Sequence, residues 1–159
     1  MGNNSLHVYL AASYEAKDRI KAMAEILNAI PGVKVTASWF DKVVDPSALA
    51  RGGEDDASAS MESALSEAVR DLDEIYEADL LILDTIATND RGGKDTEFGA
   101  AYSSGGTTWV VGPYRNVFQR LADKHFESWA PAVEYLKAGG IDEWWYHDGT
   151  DETGHAYLG

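Results

Sequence analysis

The sequence predicts an α/β fold in which a doubly wound parallel sheet carries helices on both faces. Short apolar runs alternate along the chain with longer segments whose apolar residues recur at helical spacing. The run DLLILDT at residues 79–85 is almost continuously apolar, which is typical of a strand buried on both faces. Strands that alternate with helices pair in parallel through right-handed crossovers, so these observations predict a flavodoxin- or Rossmann-like architecture.

The first half of the chain is predicted to form two strands and a helix. Residues 6–13 (LHVYLAAS) are predicted as a buried strand, and residues 14–30 as a helix that stops at Pro31. Residues 33–40 alternate between apolar and polar side chains as a second strand. Residues 41–60 are rich in Asp, Gly, Ser and Ala and are predicted as a loop, either a lid over a pocket or a solvated connection.

The second half continues this alternation. Residues 59–78 are predicted as a helix whose packing face is made of Leu65, Val69, Leu72 and Ile75. The predicted elements that follow are the strand at 79–85, a helix at 95–104, a strand at 107–112 and a short helix around 131–138. We predict one domain over residues 1–159, with an irregular aromatic tail from about residue 139 to residue 159.

The composition restricts the class of partner. The chain has 27 Asp and Glu against 13 Lys and Arg, a formal charge of −14, and such a surface repels nucleic acid polymers and anionic membranes. No run approaches the ~20 apolar residues of a membrane span, and the first residues lack the pattern of a secretory signal. Cysteine is absent and the four histidines are scattered, which disfavours a metal site. We therefore expect a cytoplasmic protein without metal or cofactor, whose partner is a small molecule.

Acidic side chains collect at one edge of the predicted sheet. In doubly wound sheets, ligands bind beyond the carboxyl ends of the strands, near the point where the strand order reverses. That edge gathers a phenol, a serine and several acids: Tyr9, Ser13, Asp71, Asp84, Asp90, Asp95 and Glu97. Neighbouring carboxylates repel, which raises the pKa of one while others stay ionised. Such a group suits acid–base catalysis or attack by a carboxylate on an electrophilic carbon.

Glu97 is the most specific of these candidates. Asp95 is predicted to cap the helix, which leaves Glu97 in the first turn, where the helix dipole favours the anion that a nucleophile must be. Ordinary structural roles fit the same positions: a cap for Asp95, a dipole partner for Glu97, solvated surface for Asp71 and core packing for Tyr9. The residue pattern alone leaves both interpretations open.

Three segments, taken in order, resemble the nucleoside 2-deoxyribosyltransferase family. They are VYLAASY at residues 8–14, RDLDEIYEADLLILD at 70–84 and GGKDTEFGAAYSSGGTTWVVGP at 92–113. The resemblance extends from Leu6 to Leu121 and is strongest in the last segment, where a Glu precedes Phe-Gly-Ala-Ala-Tyr. The overlapping segment VGPYRNVF resembles a variant found in phage and actinobacterial members. The family usually has a Gly-Lys-Pro turn where this chain has SSGGTT.

The resemblance implies three catalytic residues. The Glu of the last segment, Glu97 here, is the nucleophile that attacks the anomeric carbon of a deoxynucleoside. Asp71 matches the acid that helps to protonate or orient the base and the sugar, and Tyr9 matches the tyrosine that orients the nucleophile.

The resemblance also implies substrate-binding residues. An acid upstream of the nucleophile contacts the sugar or the base, and Asp90 is its nearest match, with Asp95 as a rival. Asn116 is the nearest match to an asparagine that the family donates across a subunit interface. The predicted binding set is completed by Ser13, Asp84 and Gly93.

From this resemblance we expect N-glycosyl transfer on 2′-deoxynucleosides, through a covalent Glu97 intermediate and with a free nucleobase as the second substrate. Two alternatives stay open: hydrolysis of a deoxynucleoside or its 5′-monophosphate, and a protein that binds a nucleotide without turnover. The family builds its sites at subunit interfaces, so we also expect a homodimer or larger homo-oligomer, in which the aromatic tail helps to wall the pocket.

Overall fold

Five parallel strands form the centre of the molecule. A computed structural model of the protein describes residues 5–41, 57–87 and 92–140. The strand order is β2-β1-β3-β4-β5, and every pairing between neighbours is parallel. The strands are β1 (Leu6–Ala11), β2 (Val33–Val35), β3 (Leu80–Asp84), β4 (Thr107–Val111) and β5 (Lys124–Phe126). The predicted α/β class is therefore confirmed, and the strand order reverses between β1 and β3, the point at which such sheets bind ligands.

Within the described residues, four α-helices cover the two faces of the sheet. They are α1 (Lys17–Asn28), α2 (Ala57–Glu77), α3 (Gly93–Ser103) and α4 (Trp129–Tyr135). Helices α2 and α3 pack against each other on one face. Helices α1 and α4 cover the other face, where Arg19 and Trp129 both donate hydrogen bonds to Asp84 of β3. The predicted double winding thus places Asp84 and the α2–α3 pair on opposite sides of the sheet.

The central strands are as apolar as their burial requires. All five residues of β3 are buried, as are Val8 to Ala11 of β1. Strands with helices on both faces have no solvated side, which explains why these runs do not alternate in polarity. The continuous run therefore places its polar residue, Asp84, at a buried strand end.

Strand β2 is shorter than predicted. It ends at Val35, and the Thr36 amide then donates to the Val8 carbonyl at 2.9 Å. Residues Trp39–Asp41 form a 3-10 turn, held where the Trp39 indole donates to the Leu10 carbonyl at 2.6 Å. The apolar residues that suggested a longer strand are buried by this turn instead.

Helix α2 packs through fewer residues than its sequence predicts. Ile75 is buried and Leu72 is partly buried, whereas Leu65 is 65% and Val69 51% exposed. The prediction that all four residues face the core was therefore wrong for Leu65 and Val69. The partly buried face of α2 is instead made of charged residues, described below.

Several predicted segments lie at or beyond the limits of the described residues. The predicted loop at 41–60 falls mostly outside them, but α2 begins at Ala57, so its last four residues are helical. The aromatic tail at 139–159 lies outside them after Gly140. Within the described chain, no helix is both long and apolar enough to cross a membrane.

Candidate active site

Helix α3 begins earlier than predicted, which changes the position of Glu97. The N-cap is Gly92, with a φ of 83°, and no side chain caps the helix. Asp95 is therefore not the cap; it is the third helical residue, and Glu97 is the fifth. The prediction that Glu97 stands in the first turn was wrong. A positive φ favours glycine at residue 92, which explains why the turn precedes Asp95.

The charges that act on the Glu97 carboxyl are those of other acids. Burial of its carboxyl, together with the negative charge of Asp71 and a smaller contribution from Glu74, raises its pKa from 4.5 to about 8. The Tyr9 hydroxyl acts in the opposite direction and lowers that pKa. Glu97 therefore holds a proton at neutral pH in the free protein, contrary to the predicted anion.

Tyr9 projects from the middle of β1 and is fully buried. Burial raises the pKa of its phenol far above the ordinary value, and the charges of Glu97, Asp71 and Glu74 raise it further. The hydroxyl lies close enough to Glu97 to affect its pKa, yet it makes no hydrogen bond of ordinary geometry with any described residue. A buried hydroxyl in this state costs stability, and it is a neutral donor beside the Glu97 carboxyl.

Asp71 belongs to a charged face of α2 that the sequence analysis did not identify. The Arg70 guanidinium lies 3.6 Å from the Asp71 carboxylate and 3.7 Å from that of Glu74. Glu74 in turn accepts hydrogen bonds from the Ser38 amide and the Ser38 hydroxyl. The signal for Glu74 was its spacing, because a residue three positions after Asp71 lies on the same helix face.

Asp84 is buried on the opposite face of the sheet and is fully bonded there. Arg19 donates to its two oxygens at 3.0 and 3.2 Å, the Trp129 indole donates at 2.7 Å and the Ile86 amide at 2.9 Å. These bonds join α1, β3 and α4. The structure therefore places Asp84 apart from the Glu97 group and engages it within the fold.

Two predicted binding residues, Asp95 and Asn116, contact each other. The Asn116 amide donates to the Asp95 carboxylate at 3.2 Å, and Gln119 donates to the same oxygen at 2.9 Å. Gln119 is fully buried and also accepts from the Arg115 amide. This network ties the first turn of α3 to the segment after β4, and sequence reasoning missed Gln119 because glutamine is seldom buried.

Of the remaining predicted binding residues, Ser13 and Gly93 are among the described residues and Asp90 is not. Ser13 follows β1 at the same sheet edge and precedes the 3-10 turn Tyr14–Ala16. Gly93 is the exposed first residue of α3. Asp90 lies outside the described residues, so its predicted contact with the substrate stays a prediction.

A shallow groove at the other edge of the sheet does not compete for this role. Its lining includes a single acid, Asp79, and is made of Ile75, Tyr76, Ala78, Asp79, Leu81, Ala101, Ser104, Gly105, Gly106 and Thr107. It lies at the amino ends of β3 and β4, and its lining residue Leu81 pairs with Tyr9 in the sheet. Its lining residues include no pair of acids, whereas Glu97 is influenced by both Asp71 and Glu74 beside the Tyr9 phenol.

Comparison with known proteins agrees with the fold. No protein-family model matches the sequence, and comparison with curated proteins finds no match. Among solved structures, the chain is similar to a Clostridium botulinum CMP N-glycosidase, BcmB, with a TM-score of 0.51 and 18% sequence identity. The similarity covers 82% of this chain and 97% of that chain. At this identity the likeness shows a shared fold.

Proposed function

We propose that this protein cleaves the N-glycosidic bond of a nucleoside or nucleotide, with Glu97 as the nucleophile. The observation that carries the proposal is the buried group at the reversal point of the sheet, where Tyr9 and Asp71 face the Glu97 carboxyl. A fold shared with a CMP N-glycosidase supports it. So do the three segments that resemble the nucleoside 2-deoxyribosyltransferase family, which supply these same residues.

The raised pKa of Glu97 suits the proton requirement of this reaction. A departing nucleobase must gain a proton, while the anomeric carbon must be captured by a carboxylate. A protonated Glu97 beside Asp71 supplies both: its proton passes to the base nitrogen through Asp71, and its oxygen bonds to the anomeric carbon as the C–N bond breaks. The products are a glycosyl ester on Glu97 and a neutral base, so protons balance.

In this scheme the Tyr9 hydroxyl, which makes no hydrogen bond of ordinary geometry in the free protein, is the neutral donor to the Glu97 carboxyl during the reaction. Its phenol stays neutral because burial and neighbouring acids raise its pKa. A neutral donor stabilises the Glu97 carboxylate as that carboxylate is released from the sugar, and it holds the attacking oxygen in one orientation. Because the phenol is neutral, it adds no further negative charge to the acids around Glu97.

The second step decides between two reactions. If a free nucleobase attacks the glycosyl ester, the protein is a transferase that exchanges bases; if water attacks, it is a hydrolase. We propose base exchange on 2′-deoxynucleosides as the first candidate, because the resembling segments are those of a transferase family. Hydrolysis of a nucleoside 5′-monophosphate is the second, since the structural neighbour is a CMP N-glycosidase.

One assay separates these outcomes. The purified protein is incubated with deoxyinosine plus adenine, with deoxynucleoside monophosphates alone and with CMP alone, and the products are resolved by chromatography. New deoxyadenosine identifies a transferase, and free base without exchange identifies a hydrolase. Glu97→Gln serves as the control and should lower turnover by about 1,000-fold or more, because it removes the nucleophile. Binding without any product in all three incubations would reject catalysis in favour of a nucleotide-binding protein.

A further inference from the structure

The charged face of α2 forms a layer behind the Tyr9–Glu97 group. Glu67, Arg70, Asp71 and Glu74 follow one another at helical spacing, so their side chains share one side of the helix. The Arg70 guanidinium donates to Glu67 and lies 3.6 Å from Asp71 and 3.7 Å from Glu74. The Asp71 and Glu74 side chains are only 16% and 14% exposed. One cation therefore lies among three largely shielded carboxylates.

Glu74 differs from an ordinary member of a surface ion pair because another element fixes it. The Ser38 amide and hydroxyl each donate to one of its carboxylate oxygens, at 3.1 and 2.5 Å. The Thr36 hydroxyl donates to the Glu74 carbonyl, and the Thr36 amide to the carbonyl of Val8, the residue before Tyr9. Ion pairs on an exposed helix face contribute little to stability and need no such anchor. The anchor indicates that the position of this charge matters.

We infer that Glu74 is a positioning residue for the Asp71–Glu97 pair. Anchored by Ser38, it holds the Arg70 guanidinium beside Asp71 and fixes a negative charge behind the site. The inference rests on the proposed function only in naming Asp71 and Glu97 as the reacting acids. Arg70 and Glu74 lie in the resembling segment at residues 70–84, but the resemblance assigns a role to neither of them, and Ser38 lies outside the three resembling segments.

If the inference is right, removal of the Glu74 charge and removal of the Arg70 charge shift the pKa of Glu97 in opposite directions. Among the described residues, the groups on other elements that act on the Glu97 carboxyl are Tyr9 from β1 and Asp71 and Glu74 from α2. Removal of the Glu74 charge should lower the pKa of Glu97, because a like charge disappears. Removal of Arg70 should raise it, since the acids behind the site lose the cation beside them. A variant that merely loosens the fold would not move the two titrations in opposite directions.

The test is a titration of Glu97 in the full chain by NMR of carbon-13-labelled glutamate carboxyls, with Glu97→Gln used to assign the signal. Glu74→Gln keeps both bonds to Ser38, because the amide oxygen can accept from the Ser38 amide while the amide nitrogen donates to the hydroxyl. Glu77→Gln on the same helix is the matched control, since it removes one exposed acid outside the layer. Arg70→Met provides the opposite change.

We expect the Glu97 midpoint to fall by about half to one pH unit in Glu74→Gln, to rise in Arg70→Met and to stay at its wild-type value in Glu77→Gln. Equal midpoints in Glu74→Gln and Glu77→Gln, or shifts of the same sign in Glu74→Gln and Arg70→Met, would overturn the inference. Because the titration needs no substrate, its result is independent of whether the protein turns over a nucleoside.

Discussion

Two shielded acids at the same edge of the sheet have opposite surroundings. Asp84, on the α1–α4 face, receives hydrogen bonds from Arg19, Trp129 and the Ile86 amide. Glu97, on the α2–α3 face, lies beside the Tyr9 phenol and two further acids; burial and the charges of those acids raise its pKa to about 8, although the phenol acts in the opposite direction. A fully bonded carboxylate stabilises a fold, whereas one held among like charges destabilises it. Burial of an acid alone therefore does not indicate a functional site. A buried acid is a candidate for one when its surroundings disfavour its charged form, as those of Glu97 do.

The largest expected effect tests the structural half of this comparison. Asp84→Ala leaves the Arg19 charge and the Trp129 indole without their acceptor, so the free energy of unfolding should fall by about 3–5 kcal/mol in urea denaturation at neutral pH. Asp73→Ala, which removes an exposed acid of α2, should change it by less than about 0.5 kcal/mol. Equal effects would show that Asp84 does not join α1, β3 and α4.

The next effect has the opposite sign and tests the functional half. The pKa of Glu97 is about 8 in the folded protein against 4.5 as the ordinary value, so folding takes up a proton between these limits. Wild-type stability therefore falls as the pH rises through that window. Glu97→Gln cannot titrate, and its stability relative to wild type should be roughly 3 kcal/mol more favourable near pH 8.5 than near pH 5.

Thermal or urea unfolding of both proteins at the two pH values measures this difference. Glu77→Gln is the control, because it removes an exposed acid of the same charge. The difference in unfolding free energy between this variant and wild type should change little between the two pH values. A Glu97→Gln effect that is the same at both pH values would contradict the raised pKa.

The smallest effect separates the roles of Asp71 and Glu97, the two acids that we propose to be catalytic. Asp71→Asn keeps the shape of the side chain but cannot pass a proton to the leaving base. We expect kcat/KM to fall by about 100-fold with a natural base, and by about 10-fold or less with a leaving group that departs without protonation. Equal losses with both substrates would assign Asp71 to positioning instead.

The fold was predictable where the apolar pattern is strong. Short, continuously apolar runs such as the one ending at Asp84 favour strands buried on both faces, and the class and the sheet edge follow from them. Strand β5 was missed because Lys124–Phe126 has three residues, of which one is apolar. The end of β2 was misplaced because Trp39 and Phe40 are buried by a turn, which leaves the same apolar signal as a strand.

The sequence predicted which residues of the candidate site lie together, but it did not predict the raised pKa of Glu97. Tyr9, Asp71 and Glu97 were nominated by motif and strand position, and the structure brings them together. The sequence predicted that one acid of the group has a raised pKa, but it could not show that this acid is Glu97, because the answer depends on which acids face one another across α2 and α3. Contacts such as Ser38 with Glu74 join residues 36 positions apart, and no local pattern records them.

The central claim is that Glu97 is the group that bonds to the sugar, and trapping that bond tests it most directly. A 2-fluoro-arabinosyl nucleoside slows release of the glycosyl ester, so the intact protein should gain the mass of one fluorinated sugar. Peptide mapping should then find the label on Glu97, and Glu97→Gln should gain no mass. Label on another residue would contradict the account, as would turnover of natural substrate by Glu97→Gln at the wild-type rate.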